Sequence, residues 1–147
     1  QRRGQRRCVH LHGPGRAVTA ERTVVVVEDD DDMRNLIERS LRRDPRLDVA
    51  AGGADARAAV DAIRRSAADI VILDHYITGT VMGMDSAPVI KTISPQTKVL
   101  VFTAKDLELE AYLEPEVDAY LHKDRLMDLL PTVLRLVGLE PAPERAQ

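Results

Sequence analysis

VVVVEDDDDMRN, residues 24–35, sets four valines directly against five acids, Glu28 to Asp32. β-branched residues favour extended backbone, and a run that is apolar on both faces suits a central parallel strand covered by helices, not a half-exposed hairpin strand. The period then changes. Met33, Leu36, Ile37 and Leu41 recur at helical spacing with polar residues between them, and Asp44-Pro45 closes the segment. A buried strand therefore passes into an amphipathic helix through a turn dense in carboxylates. Asp30 to Asp32 suit the helix N-terminus as cap and dipole partners, which leaves Glu28 and Asp29 at the strand end for another use.

The same alternation runs through the rest of the chain. LDVAAG, residues 47–52, is short and reads as an outer strand, and Ala56, Ala59, Val60 and Ile63 repeat at helical spacing through RRSA. DIVILD, residues 69–74, is a second fully apolar strand ending on an acid. After a Gly-rich loop a short helix is expected to open at Asp85 or Ser86, with Pro88 in its first turn. TKVLVFTA, residues 97–104, is a third apolar strand, and DLELEAYL forms a brief helix that Pro115 ends. VDAYLHK, residues 117–123, reads as the last strand, and RLMDLLPTVLRLVG as a closing helix kinked at Pro131. Five strands alternating with five helices predict an α/β fold, a doubly wound parallel sheet with right-handed crossovers.

Composition fits one domain. The 147 residues are 44% hydrophobic and 31% charged, enough to bury a core. Cys8 is the single cysteine and cannot form an internal disulfide. No apolar run is long enough to cross a bilayer, so no membrane association and a reducing, cytoplasmic setting are expected. The net charge of -3 hides an asymmetry, because residues 1–22 carry six arginines against Glu21 alone and the remainder sums to -8. Residues 1–22 have Gly and Pro punctuation and no periodicity. They read as a flexible basic tail, residues 23–140 as the folded domain and residues 141–147 as a flexible C-terminal tail. The tail's double arginines lack the apolar stretch an export signal needs. Arginines contacting nucleic-acid phosphates are an alternative to a merely solvated tail, and Cys8, His10 and His12 have no further ligands nearby to hold a metal.

In open parallel sheets the ligand site lies beyond the carboxyl ends of the strands. Those ends carry Glu28 and Asp29, Asp74, Thr103 and Lys123. Three carboxylates at one rim repel one another unless a cation sits among them, and an oxygen-only cluster suits Mg²⁺. One carboxylate can then act as nucleophile and form an acyl phosphate, with Lys123 neutralising phosphoryl oxygens and the Thr103 hydroxyl donating to the phosphate.

At these residues the chain resembles a two-component response-regulator receiver domain of the CheY-like superfamily, from about Thr23 to Gly138. The resemblance is carried by VVED with Glu28 and Asp29, VILD with Asp74, VFTA with Thr103 and Ala104, and AYLHKD with Tyr120 and Lys123. RRDPRLDV and the KD after the last strand are most similar to receivers of the subfamily with LuxR-type outputs. The resemblance implies a flavodoxin-like sheet of order 2-1-3-4-5. It further implies that a sensor histidine kinase phosphorylates Asp74, and that Glu28, Asp29, Asp74 and the backbone carbonyl of Tyr76 hold Mg²⁺. Thr103 and Tyr120 would form a switch pair, the threonine moving toward phosphate as the ring turns inward. Output would pass to a downstream protein or a second copy through the face of helix 4, strand 5 and helix 5, and the domain would be a signalling module and not an enzyme. Few residues follow the last helix, which leaves no space for a DNA-binding helix-turn-helix.

One segment departs from the family pattern. Where receivers read something like MPGMDG soon after the phosphoacceptor, this chain reads HYITGTVMGMDSA, with Thr78 in place of proline, Ser86 in place of glycine, and GMD several positions late. The fourth helix is also shortened, with EPEVDAYL in place of the usual Gly-containing turn. These departures keep open a second reading, a receiver that binds partners without phosphorylation. A third reading is a haloacid-dehalogenase-like phosphatase using Asp29 and Asp31 with Thr103 and Lys123, although the acidic pair that family places on a later strand is missing.

Overall fold

A computed structural model describes residues 21–75 and 84–143 of the chain. The expected basic tail through residue 20, Tyr76, the loop from Thr78 to Gly83 and the last four residues of the expected C-terminal tail lie outside the described residues.

The elements follow the predicted alternation. Strand β1 (Arg22–Val27) leads to helix α1 (Asp31–Leu41), β2 (Leu47–Ala51) to α2 (Ala56–Ser66), and β3 (Ile70–Leu73) to α3 (Ala87–Ile93). β4 (Lys98–Thr103) precedes α4 (Glu108–Leu113), and β5 (Ala119–His122) precedes α5 (Leu129–Leu136). The sheet order is β2-β1-β3-β4-β5 and every pairing is parallel. The flavodoxin-like order expected from the resemblance is the order observed.

The valine run lies at the centre because both its faces are covered. Val24 and Val26 pack with Ile37 and Leu41 of α1 and Leu129 and Val133 of α5. Val25 and Val27 pack with Ala59 and Ile63 of α2 and Ile90 of α3. All four valines are at most 1% exposed, and each contributes about 1.5 to 3 kcal/mol of apolar burial. β2 is an edge strand, and Gly52 just beyond it has no room for a side chain, since a Cβ would collide with the Val26 carbonyl oxygen.

Capping sets the helix starts. The Asp30 carboxylate accepts from Met33 N at 2.8 Å, and Asp31 and Asp32 occupy the acidic first turn of α1, as their placement beside the helix predicts. Asp55 caps α2 in the same way through Ala58 N. At the opposite edge of the sheet, Asp44 accepts three hydrogen bonds from Arg46, whose guanidinium also donates to the Glu140 carbonyl at 3.0 Å.

The helix expected to open at Asp85 or Ser86 does so: a 3-10 turn, Met84–Ser86, leads into α3 with Ser86 at the N-cap position and Pro88 in the first turn, although the Ser86 side chain makes no capping bond. Two local expectations are corrected. The last strand is Ala119–His122 and not residues 117–123; Val117 lies in the preceding turn, where its amide bonds to the Glu114 carbonyl. The closing helix does not run from Arg125 with a kink at Pro131. A 3-10 segment, Lys123–Asp128, breaks at Arg125 (φ -102°, ψ 41°), and α5 starts afresh at Leu129 with Pro131 in its first turn. Proline lacks an N–H, and the first turn is where that N–H has no intrahelical partner to lose.

Candidate functional site

Because all five strands run the same way, their carboxyl ends share one edge, and the strand-end side chains meet there. Glu28 follows β1 and is 1% exposed, Asp74 follows β3, Thr103 ends β4, and Lys123 follows β5. Asp29 is exposed beside them. The Lys123 ammonium bridges two of the acids, with Nζ 2.7 Å from Asp74 Oδ2 and 2.6 Å from Glu28 Oε2. The contact with Asp74 is a hydrogen bond, and the contact with Glu28 Oε2 is a close ion pair.

Local backbone geometry holds the acids in place. Asp30 N donates to Glu28 Oε1 at 3.2 Å, and Arg34 Nη1 donates to the Glu28 carbonyl at 2.7 Å while its other nitrogen pairs with Asp31. Arg34 was not singled out from the sequence; its signal is an arginine three residues after Asp31, on the same helical face. Burial pushes the Glu28 carboxyl above its ordinary value, and the Lys123 bond opposes that shift only in part. For Lys123, burial pulls the ammonium pKa down, but the bonds to Asp74 and Glu28 outweigh it and the net shift is upward. The lysine stays charged.

Glu28, Asp29 and Asp74 each present a carboxylate oxygen within 4.8 Å of the others. An all-oxygen set with two buried acids and one exposed acid suits a hard divalent cation such as Mg²⁺. The remaining expected ligand, the Tyr76 carbonyl, lies outside the described residues.

Thr103 is 1% exposed, and its hydroxyl accepts a long 3.4 Å bond from Lys105 N. Tyr120 is half-buried, with its hydroxyl bound to the β4–α4 loop: it donates to the Lys105 carbonyl at 2.5 Å and accepts from Leu107 N at 3.3 Å. His122, also missed in the sequence, reaches the same loop at Ala104. A side chain that bonds a distant backbone carbonyl leaves no spacing signal. The phosphatase reading loses its second acid, because Asp31 stands on the first turn of α1, mostly exposed and paired with Arg34, outside the carboxylate cluster.

Comparison with known proteins agrees with this geometry. The family model for the response regulator receiver domain matches residues 24–135. A protein-glutamate methylesterase/protein-glutamine glutaminase from Azospirillum brasilense is 34% identical over 79 residues, covering 53% of this chain and 20% of that protein. The chain spans no more than about half the length of the curated relatives it matches. The signal receiver domain of the putative response regulator NarL from Mycobacterium tuberculosis superposes with a TM-score of 0.74 at 24% identity, over 82% of this chain and 98% of that one. A LuxR-family two-component response regulator from Aurantimonas gives 0.74 at 22% identity, over 86% and 91%. Strand order, carboxylate rim and matched span converge, and the chain belongs to the response-regulator receiver domain family.

Proposed function

We propose that the domain takes a phosphoryl group from a sensor histidine kinase onto Asp74 and thereby switches a protein-interaction surface. The observation that carries this reading is the Lys123 bridge to Asp74 and Glu28 beside a third carboxylate, Asp29. The Asp74 carboxylate attacks phosphorus, the bond from phosphorus to the kinase imidazole breaks, and the leaving imidazole takes up a proton. Lys123 Nζ holds one Asp74 oxygen before transfer and neutralises a phosphoryl oxygen after it. Thr103, one residue from the loop, supplies a hydroxyl toward the new phosphate. Glu28, Asp29, Asp74 and the Tyr76 carbonyl would hold Mg²⁺, which when bound offsets the charge of three acids and of the incoming phosphoryl oxygens.

The domain acts as a signalling phosphoacceptor and not as an enzyme with a turnover substrate; methylesterase activity is a property of the much longer relative. Output is assigned to the α4–β5–α5 face, taken by a downstream protein or a second copy. Leu109, Tyr112 and Leu113, spaced three and four apart on α4, are 66%, 85% and 68% exposed, an apolar stripe that supports this reading. Among the described residues no helix is long and apolar enough to cross a membrane. The test is the amide spectrum with beryllium fluoride and Mg²⁺: displaced resonances at Asp74, Thr103 and Lys123 are expected, and an unchanged spectrum with both present contradicts the proposal.

A further inference from the structure

Two side chains of β5 hold the backbone that follows Thr103. Tyr120 and His122 are two residues apart and so share a face of the strand. They take consecutive carbonyls of the β4–α4 loop: the Tyr120 hydroxyl donates to Lys105 O, and His122 Nε2 lies 3.0 Å from Ala104 O. The loop's bond to Thr103 itself, from Lys105 N to the hydroxyl, is the longest of the three.

The His122 ring is also held at its other end. Asp124 N donates to Nδ1 at 3.2 Å, and the Asp124 carboxylate lies 2.8 Å from the same nitrogen. In the neutral ring Nδ1 accepts from that amide and the proton sits on Nε2; in the cation both nitrogens carry protons. Both of these forms donate from Nε2 to the Ala104 carbonyl, and the cation also donates from Nδ1 to the Asp124 carboxylate; the neutral tautomer protonated on Nδ1 would serve that carboxylate but set the Nε2 lone pair against the Ala104 carbonyl. His122 therefore ties the residue after Thr103 to the segment that begins with Lys123.

We propose that His122 is a positioning residue that sets how readily the β4–α4 loop moves toward Asp74 when that residue carries a phosphoryl group, a reading that rests on the phosphoacceptor function above. Movement of Thr103 and Ala104 toward Asp74 requires release of the Ala104 carbonyl from the ring. Tyr120 can let go by rotating its own side chain, but His122 is pinned between Ala104 and Asp124. The ring holds the resting position of the loop, and its loss favours the phosphoryl-bound one.

The test titrates beryllium fluoride, with Mg²⁺ present, into the full chain carrying His122, His122→Phe or His122→Gln, following the Thr103 and Ala104 amide resonances. Phenylalanine keeps the shape of the ring without the donor, and glutamine keeps a donor. His122→Phe should reach half-saturation at about five-fold lower beryllium fluoride, the worth of one net hydrogen bond, and His122→Gln should stay within about two-fold of the wild type. Equal half-saturation for His122→Phe and the wild type overturns the inference, as does a shift in His122→Gln as large as that in His122→Phe. A wild-type chain that does not respond at all defeats the phosphoacceptor reading itself.

Discussion

Lys123 Nζ lies 2.7 Å from Asp74 Oδ2, joining residues 49 positions apart, and the same ammonium lies 2.6 Å from Glu28 Oε2. One cation thus compensates two buried acids that would otherwise repel. Lys123→Met removes it and leaves both carboxylates without a counter-charge, which should lower stability by about 2 kcal/mol, below the 3 to 5 of a fully enclosed pair because the site opens to solvent. The upward shift of the lysine fixes the pH window: its contribution is full below the ordinary value of 10.5 and is lost only as pH rises through the higher folded value. Urea unfolding should therefore show a constant gap between wild type and Lys123→Met from neutral pH to about pH 9.

The five acids of the opening run have two jobs. Asp29 belongs to the carboxylate cluster, while Asp30 caps α1 and Asp31 lies in its first turn. Asp29→Asn should fold normally and lose most of the thermal stabilisation that Mg²⁺ confers. Asp31→Asn should keep the Mg²⁺ response and lose about 0.5 kcal/mol of helix stability through the dipole and the Arg34 pair. Melting curves with and without Mg²⁺ separate the two, and equal Mg²⁺ responses in both variants contradict the division.

Far from this rim, the Arg46 guanidinium, through its hydrogen bonds, holds the Asp44 carboxyl below its ordinary value of 3.8, and burial opposes that only in part. A depressed carboxyl stabilises the fold above its unfolded pKa and stops doing so as pH falls through the folded value. Asp44→Asn should thus cost about 1 kcal/mol at pH 7. The difference should shrink below pH 3.8, and chemical unfolding across that range checks it.

The central strands were legible because VVVV, IVIL and VLVF are short, apolar on both faces and rich in β-branched residues, a pattern that suits a covered parallel strand. β5 was read too long because it is a four-residue, half-buried strand in which polar His122 sits beside apolar Leu121, so burial does not mark its ends. The start of α5 was read too early because the apolar spacing of Leu126, Leu129 and Leu130 carries from the 3-10 segment into α5, and only Pro131 marks the true first turn. The acids and the lysine of the site were legible by topology, since parallel strands deliver their last residues to one edge. The loop bonds of Tyr120 and His122 were not, because they depend on where carbonyls of residues 104 and 105 fall in space.

Intact mass after incubation with acetyl phosphate and Mg²⁺, wild type beside Asp74→Asn, tests the central claim most directly. The wild type should gain the mass of one phosphoryl group and lose the gain when Mg²⁺ is chelated beforehand, and Asp74→Asn should gain nothing. An unmodified wild type, or an equal gain in Asp74→Asn, contradicts the account.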